Sequence, residues 1–206
     1  MSINNRKQHW ENVYHTKPLK EVGWYQPVPH TSLKFIEELS TAKDASIIDI
    51  GGGDSLLTDH LLKDGFTNLT VLDISEKAIQ RARERLGPLA NQVNWIVSDI
   101  TQFTPTQQYD VWHDRAAFHF LREDQDIKKY LSILNQCLKQ SGALILGTFS
   151  DKGPTMCSGL KITQYSEDDI TKLLSPSFEK IKCIHPDHIT PGGGVQNYTF
   201  CRFKRK

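Results

Sequence analysis

Apolar residues recur along the chain in two rhythms. Short runs rich in β-branched residues, Ile47 to Ile50, Leu69 to Leu72, Val93 to Val97, Tyr109 to His113 and Ala143 to Thr148, have the length and density of strands buried on both faces. Between them the apolar positions fall at helical spacing: Arg6 to Thr16, about Thr31 to Leu39, Ser55 to Lys63, Glu76 to Leu86, and Arg122 to Gln140 with Ile127, Leu131, Leu134 and Leu138 as its buried stripe. Caps and stops agree with these limits. Thr31 or Ser32, Ser75 and Ser166 open helices, and Asp64-Gly65, Gly87-Pro88 and Ser141-Gly142 close them. Strand alternating with helix predicts a parallel sheet with right-handed crossovers. A helix from Glu167 to about Leu174 and a last pair of strands, Phe178 to Ile184 and Gln196 to Phe203, complete the chain.

A chain of 206 residues is enough for one domain with its own core. The 25 Lys and Arg against 24 Asp and Glu leave a net charge of +1, which argues against the strongly basic face of a nucleic-acid binder. The basic ending Arg202 to Lys206 reads as a solvated tail. No apolar run of membrane-spanning length occurs and the opening Met1 to Gln8 is polar, so a cytoplasmic protein is expected. Cys137, Cys157, Cys183 and Cys201 form no C-x-x-C pair and read as reduced thiols. Cys137 falls on a buried helix stripe, which leaves Cys157 as the cysteine placed for chemistry.

The candidate chemistry centres on Ala45 to Ser55, where the strand around Asp49 runs into Gly51-Gly52-Gly53 and then a helix. Glycines let a flat ligand lie against backbone and meet the helix start. A dinucleotide loop wants a further glycine three positions after its second, and that position is Leu56 here. The alternative is an adenosine without phosphates. Its signature is an acid before the glycines and another ending the next strand, places that Asp49 and Asp73 fill, with Asp73 able to take both ribose hydroxyls. The third strand ends at Ser98-Asp99-Ile100, a carboxylate for the adenine amine and an apolar contact for its ring.

Through Asp49-Ile50-Gly51-Gly52-Gly53-Asp54-Ser55, Val71-Leu72-Asp73-Ile74-Ser75, Ser98-Asp99-Ile100 and Tyr109-Asp110-Val111-Trp112, the sequence resembles the class I S-adenosylmethionine-dependent methyltransferases, from about Trp10 to the last strand. Ser55 stands where the family commonly has glycine. The resemblance implies a single α/β domain: a Rossmann-like seven-stranded sheet, mostly parallel with its last strand antiparallel, and helices on both faces. Residues 1–30 would be a lid, 45–150 the cofactor core and 150–206 the substrate side. It implies S-adenosyl-L-methionine as cofactor, S-adenosyl-L-homocysteine as product, and Asp49, Gly51 to Gly53, Asp73, Ile74, Asp99 and Ile100 around them.

Trp10, Tyr14, Trp24 and Tyr25 make a dense aromatic opening. It is either an amphipathic helix packed on the sheet or a lid whose rings attract a sulfonium and exclude water. The aromatic helix and turn, together with Asp114-Arg115-Ala116, resemble the thiopurine methyltransferase branch, which implies that Asp114 and Arg115 lie at the cofactor. The Asn/Asp-Pro-Pro-aromatic motif of nucleic-acid amino-methyltransferases is missing here, as is the Pro-Cys of a cytosine-C5 enzyme.

The long stretch Phe149 to Tyr165 and the loop His185 to Gly194 are expected to open onto the crevice, bringing His185 and His188 near Arg115, His119 and Cys157. His119 and His188 are each either a base or substrate anchor, or a satisfied loop histidine. His185 and His188 have no third partner at a standard metal spacing, so no metal site is expected. A small-molecule methyl acceptor is the expected partner. The alternatives are a protein lysine, because small lysine methyltransferases also begin with a Trp-x-x-x-aromatic helix, and a module that binds the cofactor without catalysis. The residues leave oxygen, nitrogen, sulfur and selenium acceptors all open.

Overall fold

The computed structural model describes residues 3–206, so Met1 and Ser2 of the polar opening lie outside it. In chain order the helices are α1 (Ile3–Thr16), α2 (His30–Glu37), α3 (Leu57–Lys63), α4 (Glu76–Leu86), α5 (Asp124–Cys137) and α6 (Glu167–Leu174). The strands are β1 (Ile47–Ile50), β2 (Leu69–Asp73), β3 (Val93–Val97), β4 (Tyr109–Arg115), β5 (Leu138–Phe149), β6 (Met156–Cys157), β7 (Leu160–Lys161), β8 (Phe178–Ile184), β9 (Asp187–Ile189) and β10 (Val195–Arg205).

The main sheet runs β3-β2-β1-β4-β5-β10-β8, with β9 paired to β10 beside this path. β3, β2, β1, β4 and β5 are parallel, and β10 is antiparallel to both β5 and β8. This is the α/β fold expected of the sequence, with a short extra strand. The order reverses at β1 and β4, so a crevice opens at their carboxyl ends, where ligands bind in open α/β sheets. Every residue of β1 and β2 is buried, as strands covered on both faces require.

One core packs Ile48, Ile50, Trp112 and Leu144 against α5 residues such as Tyr130 and Leu134. A second packs Ile47, Val111, Ile145 and Phe200 against Phe35 and Ile36 of α2 and Leu57 and Leu61 of α3. No helix among the described residues is long and apolar enough to cross a membrane.

Several local expectations are corrected. α5 stops at Cys137, and Leu138, fully buried, already pairs with Tyr109 as strand. Ser141, at φ 63°, and Gly142 make a bulge inside β5 where a helix stop was expected. Pro29 takes the N-cap position of α2, so neither Thr31 nor Ser32 caps it. The stretch after Phe149 contains the β6–β7 hairpin. The four cysteines are not all free thiols: Cys183 and Cys201 are register partners on β8 and β10, with Cα atoms 4.1 Å apart, and are joined as a disulfide. Their spacing of 18 residues hid a pairing that the strand return creates.

Candidate active site

The crevice has two lobes that share Trp24, Gly51 and Arg115 as walls. The first is bounded by the ends of β2 (Leu72, Asp73, Ile74) and β3 (Ser98, Asp99, Ile100), and by Ala116, Ala117, Phe120, Leu121 and Cys157. Arg6, Trp10 and Tyr14 roof it from α1. The second lies between the glycine turn and the start of α2, lined by Tyr25, Gln26, Ser32, Asp49, Gly52 and His113 among others.

Asp73, at the carboxyl end of β2, is 4% exposed and accepts the Ser75 amide through Oδ1 at 2.8 Å. Burial pushes its carboxyl up to about 7, against the Ser75 bond, and the nearby Asp54, Asp49 and Glu11 add to the rise. Gly53 is not part of the wall, contrary to expectation. At φ 49° it makes room: an added Cβ would come within 2.6 Å of the Tyr14 hydroxyl and 2.9 Å of Asp73 Oδ2. The third glycine therefore lets the roof helix and the buried carboxylate approach each other.

Asp99 is engaged on both oxygens. Oδ1 accepts the Thr101 amide and hydroxyl at 2.8 and 2.7 Å. Oδ2 accepts Arg6, whose guanidinium also meets Asp126 at 2.5 Å.

α1 is held at two further places. Glu11 accepts Ser75 Oγ and the amides of Glu76 and Lys77, a carboxylate from one helix at the positive end of another. Arg81 donates to the carbonyls of Tyr14 and Lys17 and pairs with Asp54 at 2.9 Å. Arg85 donates to the Asp54 and Ser55 carbonyls and to Asp59. Arg81 and Arg85 thus clamp α4 to the end of α1 and to the glycine turn. Trp10 meets Trp24 edge-on at 5.8 Å and Phe120 at 5.0 Å, closing an aromatic roof.

Arg115 donates through Nη2 to the Trp24 carbonyl at 2.7 Å, while its buried Nη1 has no partner among the described residues. An unpartnered guanidinium nitrogen between the lobes suits a carboxylate. A buried acid with spare acceptor capacity at Asp73 suits a pair of hydroxyls. These two features, 42 residues apart in sequence but brought with Gly51 to one lobe, fit an amino acid and a nucleoside in one ligand.

Asp114 departs from expectation. It is fully buried and off the wall: Oδ1 accepts the amides of Ala117 and Phe118, and Oδ2 accepts the Tyr130 hydroxyl, itself reached by Trp112 Nε1. It holds the turn that presents Arg115 and Ala116. Burial, against those bonds, raises its carboxyl to about 6.

Neither candidate base lines the crevice. His119 has no exposed surface; its Nδ1 accepts the Phe149 amide at 3.3 Å, and burial, aided by Arg115, lowers its pKa to about 3. His188 donates through Nε2 to the Gly23 carbonyl at 2.8 Å and accepts Gln26 at Nδ1, so it pins the lid turn. Its pKa is lowered by burial. His185 is exposed, and its Nε2 lies 3.9 Å from Glu167. Cys157 does reach the first lobe, but burial pushes its thiol up to about 11 and keeps it protonated.

Residues 48–144 match the family described as a methyltransferase domain. Over 93% of its length the chain is 23% identical to EEF1A lysine methyltransferase 2 of Danio rerio, covering 82% of that protein. It is 30% identical over 112 residues to malonyl-[acyl-carrier protein] O-methyltransferase 1 of Ilyobacter polytropus, a match that spans 53% of this chain and only 40% of the relative. The fold superposes on magnesium protoporphyrin IX methyltransferase of Synechocystis PCC 6803, crystallised with bound S-adenosylmethionine, with a TM-score of 0.73 at 16% identity, covering 100% of this chain and 98% of that one.

Proposed function

We propose that this chain, an S-adenosylmethionine-dependent methyltransferase, delivers the methyl group to a small molecule whose acceptor atom needs no base at neutral pH. In this reading Asp73 holds the ribose, Asp99 and Ile100 flank the adenine, Ile74 packs on the nucleoside, and Gly51, Gly52, Asp49 and Arg115 surround the methionyl part. Trp10 and Trp24 cover the sulfonium, and Tyr25 closes the second lobe.

The observation that carries the proposal is the wall beyond Gly51. It is built from Trp10, Trp24, Ala116, Ala117, Phe120 and Cys157, with the Arg115 guanidinium beside them, while the lobe's carboxylates, Asp73 and Asp99, stand apart at the ends of β2 and β3. A lysine ammonium would meet no counter-charge there, and an alcohol no proton acceptor. A thiolate, a carboxylate or a neutral heteroatom with a free lone pair meets neither obstacle.

S-adenosylmethionine supplies a methyl carbon activated by its sulfonium. The protein's part is alignment: the roof excludes water and the apolar wall sets the acceptor about 3 Å from that carbon in line with the breaking bond. The resemblance of Asp114-Arg115-Ala116 to the thiopurine branch supports this reading only through Arg115 and Ala116, since Asp114 lies off the wall.

A protein lysine is the second reading, favoured by the match that runs through 93% of the chain to a lysine methyltransferase. The test is methyl transfer from isotope-labelled S-adenosylmethionine to small thiols, carboxylates, neutral heterocycles, amines and alcohols, beside denatured and native protein acceptors. Turnover of a thiol, carboxylate or neutral heterocycle supports the proposal; labelling confined to protein lysine overturns it.

A further inference from the structure

The face of β1 and β4 that packs on α2 is apolar where Ile47 lies beside Val111 and polar two residues later, where Asp49 lies beside His113. Strand alternation points those side chains toward the helix, among Phe35, Ile36 and Phe200. A carboxylate and an imidazole on a core face need a structural or chemical reason.

The geometry supplies one. His113 Nδ1 lies 2.7 Å from Asp49 Oδ1, and His113 Nε2 lies 2.8 Å from Ser32 Oγ. A carboxylate only accepts, so Nδ1 carries the proton. In the neutral ring Nε2 then accepts, and the Ser32 hydroxyl donates. That serine is on the buried side of α2 with Phe35 and Ile36, which fixes its distance from the sheet. Ser32, His113 and Asp49 are 1%, 2% and 5% exposed, and all three reach the second lobe.

Asp49 is confined from the other side as well. A Cβ on Gly52 would come within 2.5 Å of Asp49 Oδ2, so the glycine leaves that oxygen its place under the turn. The order of serine, imidazole and carboxylate is that of a hydrolase relay, but it faces the other way. The serine is sealed against the core, and the negative end is the one beside the glycine turn.

We infer that His113 and Ser32 are positioning residues that aim Asp49 as the counter-charge for the α-ammonium of the cofactor's methionyl group, opposite the Arg115 nitrogen that suits its carboxylate. The inference rests on S-adenosylmethionine as the cofactor and is independent of the acceptor.

Calorimetric titration of the full chain tests it with two ligands: S-adenosylhomocysteine, and 5′-methylthioadenosine, which keeps the nucleoside and thioether but lacks the amino acid. His113→Leu is expected to weaken S-adenosylhomocysteine roughly 30-fold and Ser32→Ala about threefold, as loss of hydrogen bonds to a charged group predicts. His113→Asn, whose amide N–H can replace Nδ1–H, is expected to restore most of the affinity. The affinity for 5′-methylthioadenosine is expected to stay unchanged in all three variants.

Equal weakening of both ligands, or of neither, would overturn the inference, because a merely structural role does not discriminate between them. Should His113→Leu fail to fold, the ratio of the two affinities in Ser32→Ala decides, since that variant keeps the imidazole packed. A wild type that binds neither ligand would instead remove the cofactor assignment itself. Neither ligand carries a transferable methyl, so failure of the acceptor proposal leaves this result standing.

Discussion

The guanidinium of Arg6 lies 2.9 Å from the carboxylate of Asp99, tying the first helix to the end of the third strand across the crevice. The pair is nearly sealed, with side chains 11% and 6% exposed, and Asp126 shares the same guanidinium. Removing the cation leaves two partly buried carboxylates facing each other.

Arg6→Ala is therefore expected to cost about 2 kcal/mol, concentrated in the docking of α1, and to weaken S-adenosylmethionine roughly tenfold. Hydrogen exchange resolved by segment checks it. Amides of residues 3–16 should exchange faster while those of β1 and β4 keep their protection. Uniform acceleration throughout the chain would show that Arg6 supports the whole fold and not the roof.

Asp73 links pH to both stability and binding. Its folded-state pKa is raised to about 7 from the ordinary carboxylate value of 3.8, chiefly by burial. A raised pKa means that its contribution to stability is full below the unfolded value and is lost as pH rises through the folded one. The ligand-free protein should accordingly lose stability from this group between about pH 4 and 7. Binding has the opposite sign, because the ionised form accepts ribose hydroxyls better. S-adenosylmethionine should bind more tightly as pH rises toward 8, and Asp73→Asn should stabilise the ligand-free protein at pH 8 while weakening binding roughly 100-fold. Melting curves and titrations at pH 5.5 and 8 decide the matter.

His119 is expected to matter for folding and little for turnover. Its ring is neutral and accepts the Phe149 amide away from the wall. His119→Phe strands that buried amide and should cost about 1–3 kcal/mol. In the variants that remain folded, kcat should fall less than about threefold, below the 10²–10⁴-fold of a lost general base. A larger loss in kcat with an unchanged melting temperature would return His119 to the chemistry. Its lowered pKa also predicts that its stabilising effect is lost as pH falls below 6.5 toward about 3.

The Cys183–Cys201 disulfide closes a loop with a sequence separation of 18 residues. Replacing both cysteines with serine should lower stability by about 2–3 kcal/mol while leaving S-adenosylmethionine affinity unchanged, since neither cysteine reaches the crevice. Thermal melts with and without reductant test this, and equal melting temperatures for wild type and variant under oxidising conditions would argue against the bond.

The crevice walls at the ends of β1 and β2 were legible because their signals are local. A strand's end, a glycine turn and the next strand's end identify Asp49, Gly51 and Asp73 without reference to distant chain. The resemblance to the thiopurine branch misplaced Asp114, since β4 runs to Arg115 and the next turn bends its own amides back onto the carboxylate. The histidines were harder still. Topology puts the loops of His119 and His188 near the crevice, but which way a ring faces depends on packing partners such as Phe149 and Gly23. Arg6 carried a signal that went unused, four residues before Trp10 and eight before Tyr14 on one helix face. Its partners at positions 99 and 126 could not be read from that spacing.

The attachments of α1 have a consequence for assembly. Glu11 waits for Ser75, the carbonyls of Tyr14 and Lys17 for Arg81, and Arg6 for Asp99 and Asp126. A 14-residue helix is marginal alone in water, and this segment leaves the ribosome before Ser75, Arg81, Asp99 and Asp126 do. Its docking must follow synthesis of α5, more than a hundred residues later. The nascent chain thus builds its nucleoside shelf first and acquires a ceiling afterwards, and a translational pause before Asp126 would leave the aromatic helix exposed to chaperones and proteases.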